Sequence, residues 1–312
     1  MKRKNMVKKI IKIILIFLIS FFFFFNKYSA LDLNISSDKY ILYNLNDNKV
    51  LLEKKSDEIT QIASLTKIMT VLVAIEEIEN YEREITITKE MLEGITRDIS
   101  TVGFKIGEKV TINDLLYAAI LGSGADAVNA LALTVCKNFE EFVDLMNKKV
   151  TEIGLENTHF QNVIGLTNEN NYSTAKDVSL MLLYALNNEK FKTVFETKEY
   201  TTTTNRKIKN TIEYYNSKLN KNIDYISGSK TGYTRKAGYC LASTATINNV
   251  NYLLITLNSY SNRTSHVNDT VTIYDYFSEN YDYFPIVEEN TIITKLKTKY
   301  AKEKEINVCS CT

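Results

Sequence analysis

A chain of 312 residues, 45% hydrophobic and 24% charged, carries enough apolar side chain for one large domain or two modest ones and lies far from a disordered composition. A formal net charge of +1 gives no basis for a nucleic-acid partner, which needs a clustered basic face. With two histidines and no metal-ligand spacing among the four cysteines, neither a zinc site, a His-based triad nor a cofactor is expected.

In chain order, Lys2, Arg3, Lys4, Lys8, Lys9 and Lys12 precede an apolar stretch from Ile13 to Phe25 broken only by Ser20. The stretch is shorter than the roughly 20 residues of a comfortable membrane helix, and small residues follow at Ser29 and Ala30. Residues 1–30 therefore read as an export signal. An uncleaved N-terminal membrane anchor is the alternative, because Tyr28 stands where a small residue is usual. Either way, the body is expected outside the cytoplasm.

The segment "KYILYNLNDNKVLLEKKSDE" alternates in character around Asn46, Asp47 and Asn48, which predicts a β-hairpin. Residues 64–79 are apolar at helical spacing and nearly all round the first turns, which predicts a mostly buried helix with Ser64 at its start. Two helical stretches follow between 111 and 150, the first opened by Thr111 with Asp114 three residues on and broken by Gly122, Ser123 and Gly124. Residues 173–187 start with a Ser/Thr cap and an Asp in the first turn. The period then changes. A Thr-rich segment and a loop around 205–225 lead to strands at 238–247 and 251–260, a helix near 267–280 and a Lys-rich end. Strands, helices, then strands again predict an α/β domain whose sheet comes from both ends of the sequence, with an all-α subdomain inserted. That domain is expected over 31–284, its helical part over about 85–190, with a short tail over 285–312. Cys136 and Cys240 lie in apolar segments and Cys309 and Cys311 crowd the end, so all four read as free thiols.

Three short constellations carry chemistry. Ser64 and Lys67, three apart on a helix, share a face, so the Lys amine can reach the Ser hydroxyl. A Lys whose pKa is lowered by burial can serve as the base that a serine nucleophile needs without any histidine. Lys67 sits in an otherwise apolar run, where an unneeded charge is costly. Ser123 occupies a Gly-flanked break from which a hydroxyl can project into a cleft and relay a proton. Lys230, Thr231 and Gly232 stand just before an apolar strand. There a charge and a hydroxyl can meet a carboxylate, Gly232 allows close approach to the backbone, and the N–H of Tyr233 can face a carbonyl oxygen.

Together and in this order, the three resemble the serine penicillin-recognising enzymes, whose signature is S-x-x-K, S-D-N and K-T-G. Within them the chain is most similar to the low-molecular-mass D-alanyl-D-alanine carboxypeptidases, through "ASLTKIMT", "GLTNENNYSTAKDVS" and "SGSKTGYTRKAGYCLASTA", over roughly residues 38 to 280. The resemblance implies a β-lactamase/transpeptidase-like fold, with an antiparallel five-stranded sheet flanked by helices. It also implies that Ser64 forms an acyl-enzyme, Lys67 deprotonates it and Ser123 assists the departing D-Ala. Lys230 and Thr231 would hold the terminal carboxylate, with the N–H groups of Ser64 and Tyr233 as the oxyanion hole. The implied substrate is the peptidoglycan stem peptide ending in D-Ala-D-Ala, and β-lactams would be trapped covalently.

The chain departs from the family pattern at Ala125, where the middle motif usually carries an Asn that contacts Lys67 and substrate; Asn129, one helical turn further, is the candidate substitute. A carboxylate-holding Arg of the family corresponds to either Arg263 or His266. After Pro285 fewer than thirty residues remain, so the β-rich C-terminal domain and anchor helix of many relatives are expected to be absent or a remnant, leaving membrane attachment to the N-terminal segment. Competing readings are a β-lactamase, for which no convincing Glu-bearing loop precedes the third motif, and a non-catalytic wall-binding relative, which Ala125 would suit.

Overall fold

Two conformationally marked residues set the geometry of the first half. Asn48 takes φ 52° in the turn that joins β1 (Ser37–Asn44) to β2 (Lys49–Lys54), and Ala63 takes φ 48° where the chain swings into the first helix. The computed structural model describes residues 33–219, 222–281, 292–297 and 305–309, so the segment read as an export signal lies outside them. The chain divides by contacts after Ile35, and the account below concerns Ser36 onward.

The predicted hairpin forms, with Tyr43 opposite Val50, and β1 is buried along almost its whole length whereas β2 is largely open. Helix α1 (Thr66–Glu77) buries ten of its twelve residues, as an all-round apolar pattern requires. Its start falls slightly later than the sequence predicts, because Ala63–Leu65 make a single 3-10 turn and Ser64 stands on that turn rather than in the α-helix.

Short strands β3 (Glu84–Thr86) and β4 (Lys109–Thr111) pair, and the helical block follows as α2 (Ile112–Ile120), α3 (Ala125–Val135), α4 (Phe139–Ile153), α5 (Ala175–Leu186) and α6 (Glu189–Glu196). Its boundaries follow from capping. Thr111 and Asp114 form the reciprocal box that opens α2, and the side chains of Asn138, Thr174 and Asn188 cap α4, α5 and α6. The expected loop around 205–225 is more ordered than its sequence suggests. There β5 (Glu199–Thr201) pairs with β6 (Lys207–Lys209), and helix α7 (Thr211–Leu219) follows. The buried Asp114 carboxylate accepts hydrogen bonds from Tyr200 Oη and from the backbone N–H and hydroxyl of Thr203, a long-range tie that no local pattern contains.

The second half supplies β7 (Ile226–Thr234), β8 (Gly238–Ile247), β9 (Val250–Ser259) and α8 (Ser265–Asn280). Strand order is β2-β1-β9-β8-β7 and every neighbouring pair is antiparallel, so the five-stranded sheet is assembled from both ends of the chain. Strands β1, β8 and β9 are buried almost continuously, which requires cover on both faces. Helices α5 and α8 pack against them. Asp269 on α8 ties that helix to the start of β1 by accepting from the N–H groups of Ser36 and Ser37 and from the Ser37 hydroxyl. Lys230, Thr231 and Gly232 lie inside β7, not at the entrance to a strand, and β7 is a free edge of the sheet. Towards the C-terminus β10 (Ile292–Lys297) and β11 (Glu305–Cys309) form an antiparallel pair. Cys136 and Cys240 are free thiols, and burial pushes the Cys240 thiol up to about 12.

Leu72, fully buried at the centre of α1, tests how far the fold rests on that helix. Leu72→Ala is expected to cost about 2–5 kcal/mol in urea denaturation, read as a lower midpoint at constant slope. A loss below about 0.5 kcal/mol would place Leu72 outside the tightly packed core.

Candidate active site

The first corner of the site is the 3-10 turn that carries Ser64. Lys67, one turn on, is 1% exposed, and its Nζ lies 2.7 Å from Ser64 Oγ and 3.0 Å from the carbonyl oxygen of Ile164. Burial pushes its pKa down to about 7, against the opposing pull of the Asp126 charge. A neutral amine in that position can accept the hydroxyl proton of Ser64 while donating to Ile164. The Ile164 carbonyl is aimed by its own loop: Asn162 Oδ1 accepts from the N–H groups of Gly165 and Leu166 at 2.7 and 2.9 Å, and Thr70 donates to the Val163 carbonyl at 2.7 Å. Gly165 is at φ +91°, and a Cβ there would stand 2.0 Å from the Ala63 carbonyl oxygen, so only glycine lets this loop close against the nucleophile turn.

The second corner is the break between α2 and α3. Ser123 sits at φ 54°, in the left-handed region that an L residue holds only under constraint. Its Oγ accepts from Lys230 Nζ at 2.8 Å. Ala125 begins α3 as a fully buried residue, and its N–H donates to the Ser100 carbonyl. The adjacent Asp126 carboxylate accepts from the N–H groups of Val102, Gly103 and Phe104, which pins the preceding loop against the Ser123 turn. Asn129 does not take over the missing amide. Its Nδ2 faces the Glu93 carbonyl at 3.5 Å, and its side chain lines a separate cavity beside Phe139.

The third corner is β7. A Cβ on Gly232 would meet the Ser64 nitrogen at 3.0 Å, so the glycine brings this strand directly against the nucleophile. Lys230 is fully buried behind Ser123 rather than presented to the cleft, and its amine is engaged by Ser123 and by the Thr231 carbonyl at 2.8 Å. Burial first, and the charge of Lys67 second, hold its pKa well below the ordinary lysine range. Thr231 Oγ1 lies 2.7 Å from Thr211 Oγ1 on α7. Thr211 was missed in the sequence because α7 itself reads as loop.

Ser64, Ser123, Thr211, Thr231, Gly232 and Tyr233 line one cleft of about 450 Å³, joined by Arg263 and His266 from the α8 end. His266 is 1% exposed, stacked on Tyr239 at 5.2 Å and met edge-on by Tyr215 at 5.0 Å, and burial pushes its pKa down to about 4. It is therefore neutral near pH 7. The exposed Arg263, its guanidinium 5.2 Å from the Tyr214 ring, is the charged member of the two. Among the described residues no group of His, Cys, Asp and Glu is arranged to hold a metal ion.

A serine beside a buried lysine whose pKa is lowered, a second serine–lysine pair and an edge strand closing the cleft are the arrangement of a serine acyl-transfer enzyme of the penicillin-recognising class. Residues 26–261 match the D-alanyl-D-alanine carboxypeptidase family, and the chain belongs to it as a serine peptidase. It is 31% identical over 280 residues to D-alanyl-D-alanine carboxypeptidase DacF of Bacillus subtilis, covering 86% of this chain and 69% of that one. With DacA of Escherichia coli it shares 34% identity over 222 residues, 68% of this chain and 53% of the relative. Among solved structures it superposes on the Streptomyces K15 DD-transpeptidase with a TM-score of 0.70 at 31% identity, covering 78% of this chain and 97% of the other.

The depressed Lys67 pKa fixes a pH dependence for covalent labelling by a penicillin. The protonated amine cannot accept the Ser64 proton, so the second-order labelling rate should rise about tenfold per pH unit below about pH 7 and level off above it. A rate that does not change between about pH 5 and 8 would remove Lys67 as the base.

Proposed function

We propose that this protein is a D-Ala-D-Ala carboxypeptidase that removes the terminal D-Ala from peptidoglycan stem peptides through an ester on Ser64. The carrying observation is the buried Lys67 amine, 2.7 Å from Ser64 Oγ with a pKa of about 7. Lys67 takes the hydroxyl proton as Oγ attacks the carbonyl carbon of the penultimate D-Ala. The oxyanion forms against the N–H groups of Ser64 and Tyr233. The C–N bond then breaks, Ser123 gives its proton to the leaving amine and takes in turn the proton that Lys67 removed from Ser64, which returns Lys67 to its neutral form, while Lys230 donates a hydrogen bond to the Ser123 oxygen. The terminal carboxylate is held by Thr231, Thr211 and Arg263. In this arrangement Lys230 acts through Ser123, and the neutral His266 supplies no charge. Water, deprotonated by Lys67, hydrolyses the ester and frees the enzyme. A β-lactam stops at the ester stage.

A peptidoglycan substrate supports a location on the wall side of the cytoplasmic membrane. The charged and apolar run of residues 1–30 supports export, with attachment to the membrane through the same run. Among the described residues no helix is long and apolar enough to cross a membrane.

Ala125 favours one alternative, a wall-binding protein that acylates little or not at all, because no amide reaches Lys67 from α3. Free D-Ala released from a diacyl-L-Lys-D-Ala-D-Ala peptide decides between the two. Release is expected, and Ser64→Ala should lower it at least about a thousandfold. Binding of muropeptide without any release would favour the alternative, and undiminished release by Ser64→Ala would overturn the nucleophile.

A further inference from the structure

Behind the loop that presents Ile164 to Lys67 lies a second cavity, of about 530 Å³, none of whose lining residues lines the catalytic cleft. Its apolar wall comes from Phe139 and Val143 on α4 and from Ile164 and Leu166 on the loop. Three carboxylates stand among these side chains. Glu140 and Asp144 lie one helical turn apart on the face of α4 that carries Val143, and Glu93 reaches the cavity from the segment between β3 and β4. Among the described residues none of the three enters an ion pair with a lysine or arginine of the chain, so the field in the cavity is negative.

An independent feature marks the same cavity. Asn129, on α3, lines it and is 2% exposed, yet its amide nitrogen has only the 3.5 Å contact with the Glu93 carbonyl, and its amide oxygen accepts no hydrogen bond among the described residues. A buried amide ordinarily satisfies both of its ends, so this one leaves an acceptor for a ligand in the cavity. The three carboxylates do not converge on one point, since no group of His, Cys, Asp and Glu among the described residues is arranged to hold a metal ion. The fitting ligand is therefore an extended cation, with several ammonium donors for Glu93, Glu140, Asp144 and the Asn129 oxygen, and with methylene spacers for the apolar wall.

The wall such a ligand touches also serves the nucleophile. Asn162 Oδ1 gathers the N–H groups of Gly165 and Leu166, and the Ile164 carbonyl accepts from Lys67 Nζ at 3.0 Å, while Ile164 and Leu166 themselves line the cavity. We propose that this cavity binds a linear aliphatic polyamine, and that the bound ligand braces the 162–166 loop and, through Ile164, the Lys67 amine. The site is separate from the D-Ala-D-Ala cleft and does not depend on the carboxypeptidase reading. Its carboxylates are exposed, so the affinity is modest and falls as salt rises.

Spermidine is titrated into the full chain by calorimetry at low salt, with hexylamine and Mg²⁺ as controls. A Kd of about 0.1–1 mM is expected, weakened about two- to fivefold by each of Glu140→Gln and Asp144→Asn and about tenfold by the pair. Asp98→Asn, which removes the carboxylate that lines the catalytic cleft, should leave that Kd unchanged. Hydrogen exchange gives the second readout: with spermidine bound, the Gly165 and Leu166 amides should exchange about fivefold more slowly, and this slowing should be lost in the double variant at the same spermidine concentration. The site is overturned by an absence of saturable binding up to about 10 mM, by hexylamine or Mg²⁺ binding as tightly as spermidine, or by a Kd that Asp98→Asn weakens as much as the pair does. Saturable binding without slower exchange at Gly165 and Leu166 overturns the bracing of the loop.

Discussion

The interaction on which the rest of the structure depends is a lysine amine held beside a serine in an apolar interior that disfavours its charge. Holding Lys67 at about 7 instead of the ordinary 10.5 corresponds to about 5 kcal/mol against its charged form. Only an environment that excludes water on all sides imposes that. Helix α1 provides it by being apolar all round, and the helical block and sheet provide it by enclosing α1. The same burial would leave the amine without partners, and the Ile164 carbonyl resolves this from a loop that closes only because residue 165 is glycine. The proposed base is thus a product of the core, not an attachment to it.

A second buried lysine completes the arrangement. Burial and then the charge of Lys67 disfavour charge on Lys230, and the strained Ser123 stands between Lys230 and the cleft. In the proposed mechanism Lys67 takes up the proton of Ser64, and Ser123, hydrogen-bonded to Lys230, passes it on to the leaving group. Ala125, at the start of α3, has no polar side chain to contribute. Nothing on α3 offers an amide to Lys67, so the amine is oriented by Ser64 and Ile164.

Much of this was legible in the sequence because the relevant signals are local. The capping box at Thr111, the Gly-flanked break at Ser123 and the all-apolar helix after Ser64 each state their geometry in a few residues, and the strand–helix–strand order indicated a sheet built from both ends. What was not legible depends on distant partners. Helix α7 is short and polar, and the hairpin before it closes on Asp114, roughly ninety residues earlier, so Thr211 and its contact with Thr231 could not be read locally. The burial of Lys230, which turns an expected carboxylate ligand into a partner of Ser123, depends on how β7 packs against the Ser64 turn. Between Arg263 and His266 the environment favours Arg263 for the proposed role, because a stacked, buried imidazole loses its charge and an exposed guanidinium keeps it.

The most direct measurement of the central claim is intact-mass spectrometry after incubation with a penicillin, followed by peptide mapping. The account predicts one adduct of the mass of the opened β-lactam, located on the peptide containing Ser64 and missing from Ser64→Ala. An adduct carried by Ser123, or none at a penicillin concentration that labels a known carboxypeptidase of the family under the same conditions, would contradict it.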